Sequence, residues 1–127
     1  MNNDSFYEEE MEQMDIENMS LEQIWEQISL KTEETNLAED LNASYTFHIK
    51  SDEEKSYSLI FENGKAEVKF GSIEDANCYL SMNELNFKRL LTGDLNATSA
   101  FMTRRLKLKG NIGDALKLEQ ILKNYSF

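Results

Sequence analysis

Residues 78–110 read CYLSMNELNFKRLLTGDLNATSAFMTRRLKLKG, and the fold is decided by how this stretch is parsed. Cys78, Leu80 and Met82 alternate with Tyr79 and Ser81, the period of a strand with one buried face. Ser81 and Glu84 have the spacing of a capping box, which predicts that the chain turns into a helix there. Phe87, Leu90 and Leu91 give that helix an apolar face, and Gly93 stands where a left-handed C-terminal cap is expected. Asn96 is the expected N-cap of a short helix over 97–102, and an alternating basic strand is expected over 104–109. No catalytic pattern is present in this stretch. It offers a large apolar surface on short pieces, which suits wrapping an apolar body.

Working outward toward the N-terminus, Ser20 and Gln23 form a second capping box that opens a helix to about residue 31. Leu21, Ile24, Trp25 and Ile28 fall on one face of it, with Trp25 as the expected core anchor. The polar run 31–40 reads as a loop or broken helical turn. From residue 44 the period changes to two. Tyr45, Phe47 and Ile49 face one way in a first strand, and Tyr57, Leu59 and Phe61 in a second. Asn63-Gly64 is a strong hairpin signal, leading to Ala66, Val68 and Phe70 in a third. Toward the C-terminus, a last helix is expected over 114–124, with Ala115, Leu118, Leu122 and Tyr125 on its inner face and Leu116 and Ile121 close by. The order α-β-β-β-β-α-α-β-α predicts an α+β domain, an antiparallel-rich sheet with helices on one face.

The formal charge of −11 is unevenly spread: residues 1–40 hold 13 acids and one base, residues 41–127 hold 11 acids and 12 bases. Residues 1–19 are therefore expected to be an acidic tail, and 20–127 a nearly neutral domain of a size that supports one core. The acidic front end offers no concentrated basic face for phosphates, so nucleic acid is not expected as a partner. The absence of a long apolar run and of a basic N-terminus, with the single Cys78, predicts a cytoplasmic protein.

His48 is the one histidine, and alternation places it on the strand face opposite to that of Cys78, so a Cys–His nucleophile pair is not expected. There is no phosphate loop, dinucleotide fingerprint or nucleophile elbow. No metal, cofactor or enzymatic activity is expected. Arg105, Lys107 and Lys109 alternate with Leu106 and Leu108. With Lys88, Arg89 and Arg104 they make the expected positive surface, which could dock on anionic lipid headgroups.

Taken together, Leu80-Ser81-Met82, residues 90–96, Ala100-Phe101-Met102, residues 106–110 and 115–118 resemble the sterol carrier protein (type 2) domain, a nonspecific lipid-transfer fold, here like a stand-alone bacterial version. The likeness covers residues 20–124, with Asn77 and Arg104-Arg105 departing from the residues members often carry. It implies a five-stranded sheet with helices over one face, enclosing an apolar tunnel for a fatty acid, fatty acyl-CoA, phospholipid or sterol-like lipid. The expected lining is Phe47, Leu59, Phe61, Phe70, Leu80, Met82, Leu90, Phe101, Met102, Leu116 and Ile121. The expected headgroup-docking residues are Lys88, Arg89, Arg104 and Arg105. The alternative is a non-enzymatic interaction module whose acidic N-terminal segment recruits a partner.

Overall fold

The computed structural model describes residues 15–34 and 41–124. A 3-10 turn (Ile16–Asn18) precedes helix α1 (Leu21–Glu34); strands β1 (Ala43–Lys50), β2 (Glu54–Glu62), β3 (Lys65–Phe70) and β4 (Cys78–Asn83) follow. Helices α2 (Glu84–Thr92) and α3 (Ala97–Met102), strand β5 (Lys107–Gly110) and helix α4 (Ile112–Asn124) complete the fold. This is the expected α+β architecture, with helices on the apolar face of a five-stranded sheet.

The sheet is mixed, in the order β3-β2-β1-β4-β5. β2 pairs antiparallel with β1 and β3, and β5 with β4, whereas β4 runs parallel to β1 in the register Phe47↔Leu80. A parallel pair cannot be closed by a hairpin. The connection from β3 therefore crosses the outer face of the sheet. Ser58, fully buried on that face, donates to the Gly71 carbonyl (2.8 Å) and shares a 3.0 Å hydroxyl contact with Thr46. At the far end of the crossing, Asn77 Oδ1 accepts from the Ser44 amide at 2.7 Å. Buried hydroxyls that each find a partner explain why the polar side of β1 and β2 tolerates being covered.

The Asn63-Gly64 hairpin forms as expected, with φ of 51° and 80° at the two positions. So does the Ser20/Gln23 capping box: the Ser20 amide donates to Gln23 Oε1 at 2.9 Å and the Gln23 amide to Ser20 Oγ at 3.2 Å. Gly93 takes the left-handed cap after α2 (φ 86°), and Asn96 Oδ1 caps α3 through the Ser99 amide (2.7 Å).

Four expectations are corrected. Ser81 does not cap α2, because pairing with β1 carries β4 on to Asn83; Asn83 Oδ1 accepts the Asn86 amide at 2.8 Å instead. The last strand does not begin at Arg104, which has φ of 62°; the Arg105 and Leu106 amides both donate to the Ala100 carbonyl, which holds 103–106 in a turn. α1 continues to Glu34, past the expected break at 31, and residues 35–40 lie outside the described ones. Ile16, assigned to the acidic tail, is 2% exposed and belongs to the core. The rest of the expected tail, residues 1–14, lies outside the described residues, as does Tyr125.

The core is organised around Trp25. Its ring stacks on Tyr57 (centroids 5.0 Å apart, 10° between planes) and on Phe87 (5.5 Å, 10°), and meets Phe47 edge-on at 5.1 Å. One side chain of α1 thus joins β1, β2 and α2. Glu22, one turn earlier, accepts from Lys55 Nζ (3.0 Å) and the Tyr57 hydroxyl (3.1 Å). Burial first, then the Glu22 bond, pushes the Tyr57 phenol up to about 12.

Trp25→Ala should lower the unfolding free energy by about 3–5 kcal/mol, a large part of a small domain's total, as measured by urea denaturation followed by far-UV circular dichroism. Gly110→Ala should also be severe. Gly110 has φ of 117° opposite Cys78, and an added Cβ would lie 2.2 Å from the Asn77 carbonyl oxygen. A loss of about 2 kcal/mol or more is expected. An unchanged denaturation midpoint would contradict the β4–β5 geometry.

Candidate functional site: a small apolar cavity under the helices

Between the sheet and the helices lies a small, partly open apolar cavity of about 30 Å³. Its floor is Phe47 of β1 and Leu80 of β4, with Leu106 from the turn before β5. α2 supplies Phe87, Leu90 and Leu91, α3 its first residue Ala97, and α4 contributes Ala115, Leu118, Glu119 and Leu122. Each wall follows from local periodicity. β1 and β4 run parallel in register, so Phe47 and Leu80 stand side by side on the helix-covered face. Ala115, Leu118 and Leu122 repeat at helical spacing along α4.

Among the described residues the one ionisable lining side chain is Glu119, whose carboxylate accepts the backbone N–H of Ala97 and so ties α4 to the first turn of α3. On the other side of α4, the buried Tyr45 hydroxyl donates to the Asp114 carbonyl at 2.7 Å. Burial, with a smaller contribution from the Asp114 charge, keeps that phenol protonated far above its usual range. α4 is therefore pinned to β1 at its start and to α3 at mid-length.

Three of the expected lining residues, Phe47, Leu80 and Leu90, are brought together here. Leu59, Phe61, Met82 and Ile121 are buried, but in core packing away from the cavity. The other four point elsewhere. Phe70 lies on the edge strand, 58% exposed, with its ring edge-on to Tyr57 at 5.3 Å. α3 buries only Ala100, so Phe101 (41% exposed) and Met102 (74%) face outward. Leu116 is 46% exposed because the inner face of α4 is set by its neighbours Ala115 and Leu118.

The lining residues that sequence reading passed over are Phe87, Leu91, Ala97, Leu106, Ala115, Leu118, Glu119 and Leu122. Leu118 and Leu122 were identified as an inner face, but nothing in their spacing separates a cavity wall from plain core.

The expected basic surface divides into two parts. The Lys88 ammonium is taken up by Glu84 Oε2 (3.0 Å) and the Glu17 carbonyl (3.1 Å), with the side chain only 13% exposed. Arg89 borders a groove of about 450 Å³ that also holds Glu17, Glu84 and Asp94, so its field is largely cancelled. Arg104 and Arg105 are exposed in the turn after α3, directly following the outward Phe101 and Met102, and Lys107 and Lys109 are exposed on β5.

Cys78 and His48 are apart, as alternation required. Cys78 is fully buried, its Sγ donates to the Asn111 carbonyl at 2.9 Å, and burial pushes the thiol pKa up. His48 faces the other side, with Nδ1 3.0 Å from Ser56 Oγ and Nε2 3.3 Å from Glu54. The pair has neither the geometry nor the thiolate that covalent catalysis needs. Among the described residues no helix is long and apolar enough to cross a membrane.

An apolar cavity between helices and sheet can now be set beside known proteins. Hydroxysteroid dehydrogenase-like protein 2 of Xenopus tropicalis is 39% identical over 79 residues, which is 61% of this chain and 19% of that protein. Sterol carrier protein 2 of Homo sapiens is 30% identical over 103 residues, 77% of this chain and 19% of that protein. The chain thus spans only 19% of the length of these two curated relatives. Among solved structures, the apo form of sterol carrier protein 2 from Yarrowia lipolytica matches with a TM-score of 0.69 at 30% identity, covering 81% of this chain and 89% of that one. The fold is also that of sterol carrier protein 2 from Aedes aegypti in complex with a C16 fatty acid (palmitate), with a TM-score of 0.63, 22% identity and coverage of 82% and 96%. The sequence model of the SCP-2 sterol transfer family matches residues 21–123, from the first turn of α1 to the last turn of α4, and the chain belongs to that family.

Proposed function

We propose that this chain binds a hydrophobic lipid between its sheet and helices α2, α3 and α4 and carries it without changing it chemically. The observation that carries this reading is the cavity: ten apolar side chains from five elements and one turn meet around it, in a family named for sterol transfer. The candidate ligands are a fatty acid, a fatty acyl-CoA, a phospholipid or a sterol-like lipid. The palmitate held by the Aedes aegypti protein supports an acyl chain among these.

A volume of about 30 Å³ holds about one water-sized body and no acyl chain, so binding requires the helices to part. The fold favours α3 as the piece that moves. It has six residues, buries only Ala100, and is bounded by left-handed residues, Gly93 before it and Arg104 after it. Sheltering about 14 methylenes contributes of order 11 kcal/mol gross, at about 0.8 kcal/mol each, before association costs. Displacing a helix that covers little apolar surface costs far less than displacing α1, which carries Trp25.

For delivery, we place the membrane-facing side at α3 and the turn after it. Phe101 and Met102 there are exposed apolar groups next to the exposed Arg104 and Arg105, the latter donating from Nε to Thr103 Oγ1 at 3.0 Å. The setting we propose is the cytoplasm. Lys88 has no part in docking in this reading.

Solvent extraction of the purified protein followed by mass spectrometry should recover lipid, and titration with a fluorescent fatty acid should show saturable uptake. Leu90→Trp fills the wall from the half-exposed side of α2 and should weaken uptake by about tenfold or more, the effect of overpacking by about 1–3 kcal/mol. Absence of both lipid and saturable uptake would sink the carrier function. Replacing Arg104 and Arg105 together with Ser should slow transfer to anionic vesicles by about tenfold while leaving transfer to neutral vesicles unchanged, at up to about 1 kcal/mol per base. Equal slowing on both vesicle types would rule out the docking role.

A further inference from the structure

We infer that Glu119 determines ligand specificity, making this cavity prefer uncharged lipids to the free acids of the same chain length. The inference rests on the lipid-carrying function proposed above and concerns the chemistry of its ligand.

Glu119 is the single carboxylate in a wall that is otherwise apolar. It projects from the middle of α4 and accepts the N–H of Ala97, the residue with which α3 begins. That donor is neutral, so the bond satisfies an oxygen and leaves the negative charge in place. Glu119 is therefore both the contact that closes α3 onto α4 and the charge uncovered when they part. Any lipid large enough to enter must widen a cavity of about 30 Å³, and widening it between α3 and α4 brings the ligand against this carboxylate.

The consequence depends on the ligand's polar end. A second carboxylate brought against the partly buried Glu119 would lose part of its hydration beside a like charge, which disfavours it on both grounds. An ester or a sterol-like body carries no charge and escapes both penalties. An alcohol can in addition donate its hydroxyl to Glu119.

The test uses the full chain and a matched pair of ligands. Palmitic acid and methyl palmitate, each below its solubility limit, compete against an uncharged fluorescent acyl probe. The ester should bind at least about tenfold more tightly than the acid, a difference within reach of a single partly desolvated like-charge contact. Glu119→Gln keeps a carbonyl that can accept from Ala97 and removes the charge. It should bring the ratio to about twofold or less, mainly by strengthening acid binding. Glu119→Met removes charge and acceptor together and should narrow the ratio likewise, so the inference does not hang on one variant folding. Thermal melts of all three proteins identify any variant that fails to fold. Should the wild type bind acid and ester equally, or should both folded variants keep the wild-type ratio, Glu119 has no such role and the carrier function still stands. Failure of the ester and the probe to bind the wild type at all overturns the carrier function, and this inference with it.

Discussion

The stack of Tyr57, Trp25 and Phe87 is the interaction on which the rest of this structure depends. It fastens α1 to β2 on one side of the indole and to α2 on the other, with Phe47 of β1 closing the edge. Stacked and edge-on aromatic contacts add about 0.5–1.5 kcal/mol each to the area they bury. The indole N–H meets no acceptor among the described residues, a cost of about 1–3 kcal/mol for an unpaired buried donor. The core tolerates that cost because the same ring serves four elements at once. The first two helices are anchored here, whereas α3 and α4 are held by other contacts, Tyr45 to Asp114 and Ala97 to Glu119.

That division locates the cavity. Phe47 and Phe87 belong to both the aromatic stack and the cavity wall, so the wall nearest Trp25 is stiff. The opposite wall is built from Ala97, Leu106 and α4, and α3 enters it only through the small Ala97, held by the Glu119 contact. A site that must open for a bulky guest is expected on the side where few large side chains interlock. The crossing connection over the outer face of the sheet acts in the same sense. With Ser58 and Thr46 buried and paired beneath it, the middle of that face is covered, whereas the apolar cavity lies on the helical side.

How much of this could be read from the chain differs between fold and site. Element types followed from local physics: Leu21, Ile24, Trp25 and Ile28 at helical spacing, Tyr45, Phe47 and Ile49 at strand spacing, Asn63-Gly64 at a turn. The order of strands did not, since the parallel β1–β4 pair is a long-range choice that no local pattern records. That pairing is also what extended β4 to Asn83 and displaced the cap expected at Ser81. The site was legible where alternation alone decides which way a side chain points, as for Phe47 and Leu80. It was misread where hydrophobicity was taken as a sign of burial. Phe101, Met102 and Leu116 are large and apolar yet face outward, because α3 and α4 are both oriented by the alanines that allow close approach, Ala97, Ala100 and Ala115.

The small residues and the exposed large ones are two sides of one design. A helix packed through alanine gains little from burial, about 25 cal/mol for each Å² of a small side chain's area, so it is held weakly and can be lifted. The same helix then carries its large apolar groups on the outside, where water disfavours them and a lipid surface does not. Phe101 and Met102 followed by Arg104 and Arg105 put apolar contact and positive charge on the segment whose displacement would uncover the cavity in the proposed carrier. A membrane that engages these side chains would favour the lifted position of α3, so docking and opening would be coupled by one short helix without a separate trigger. Glu119 opposes that motion from within by holding Ala97.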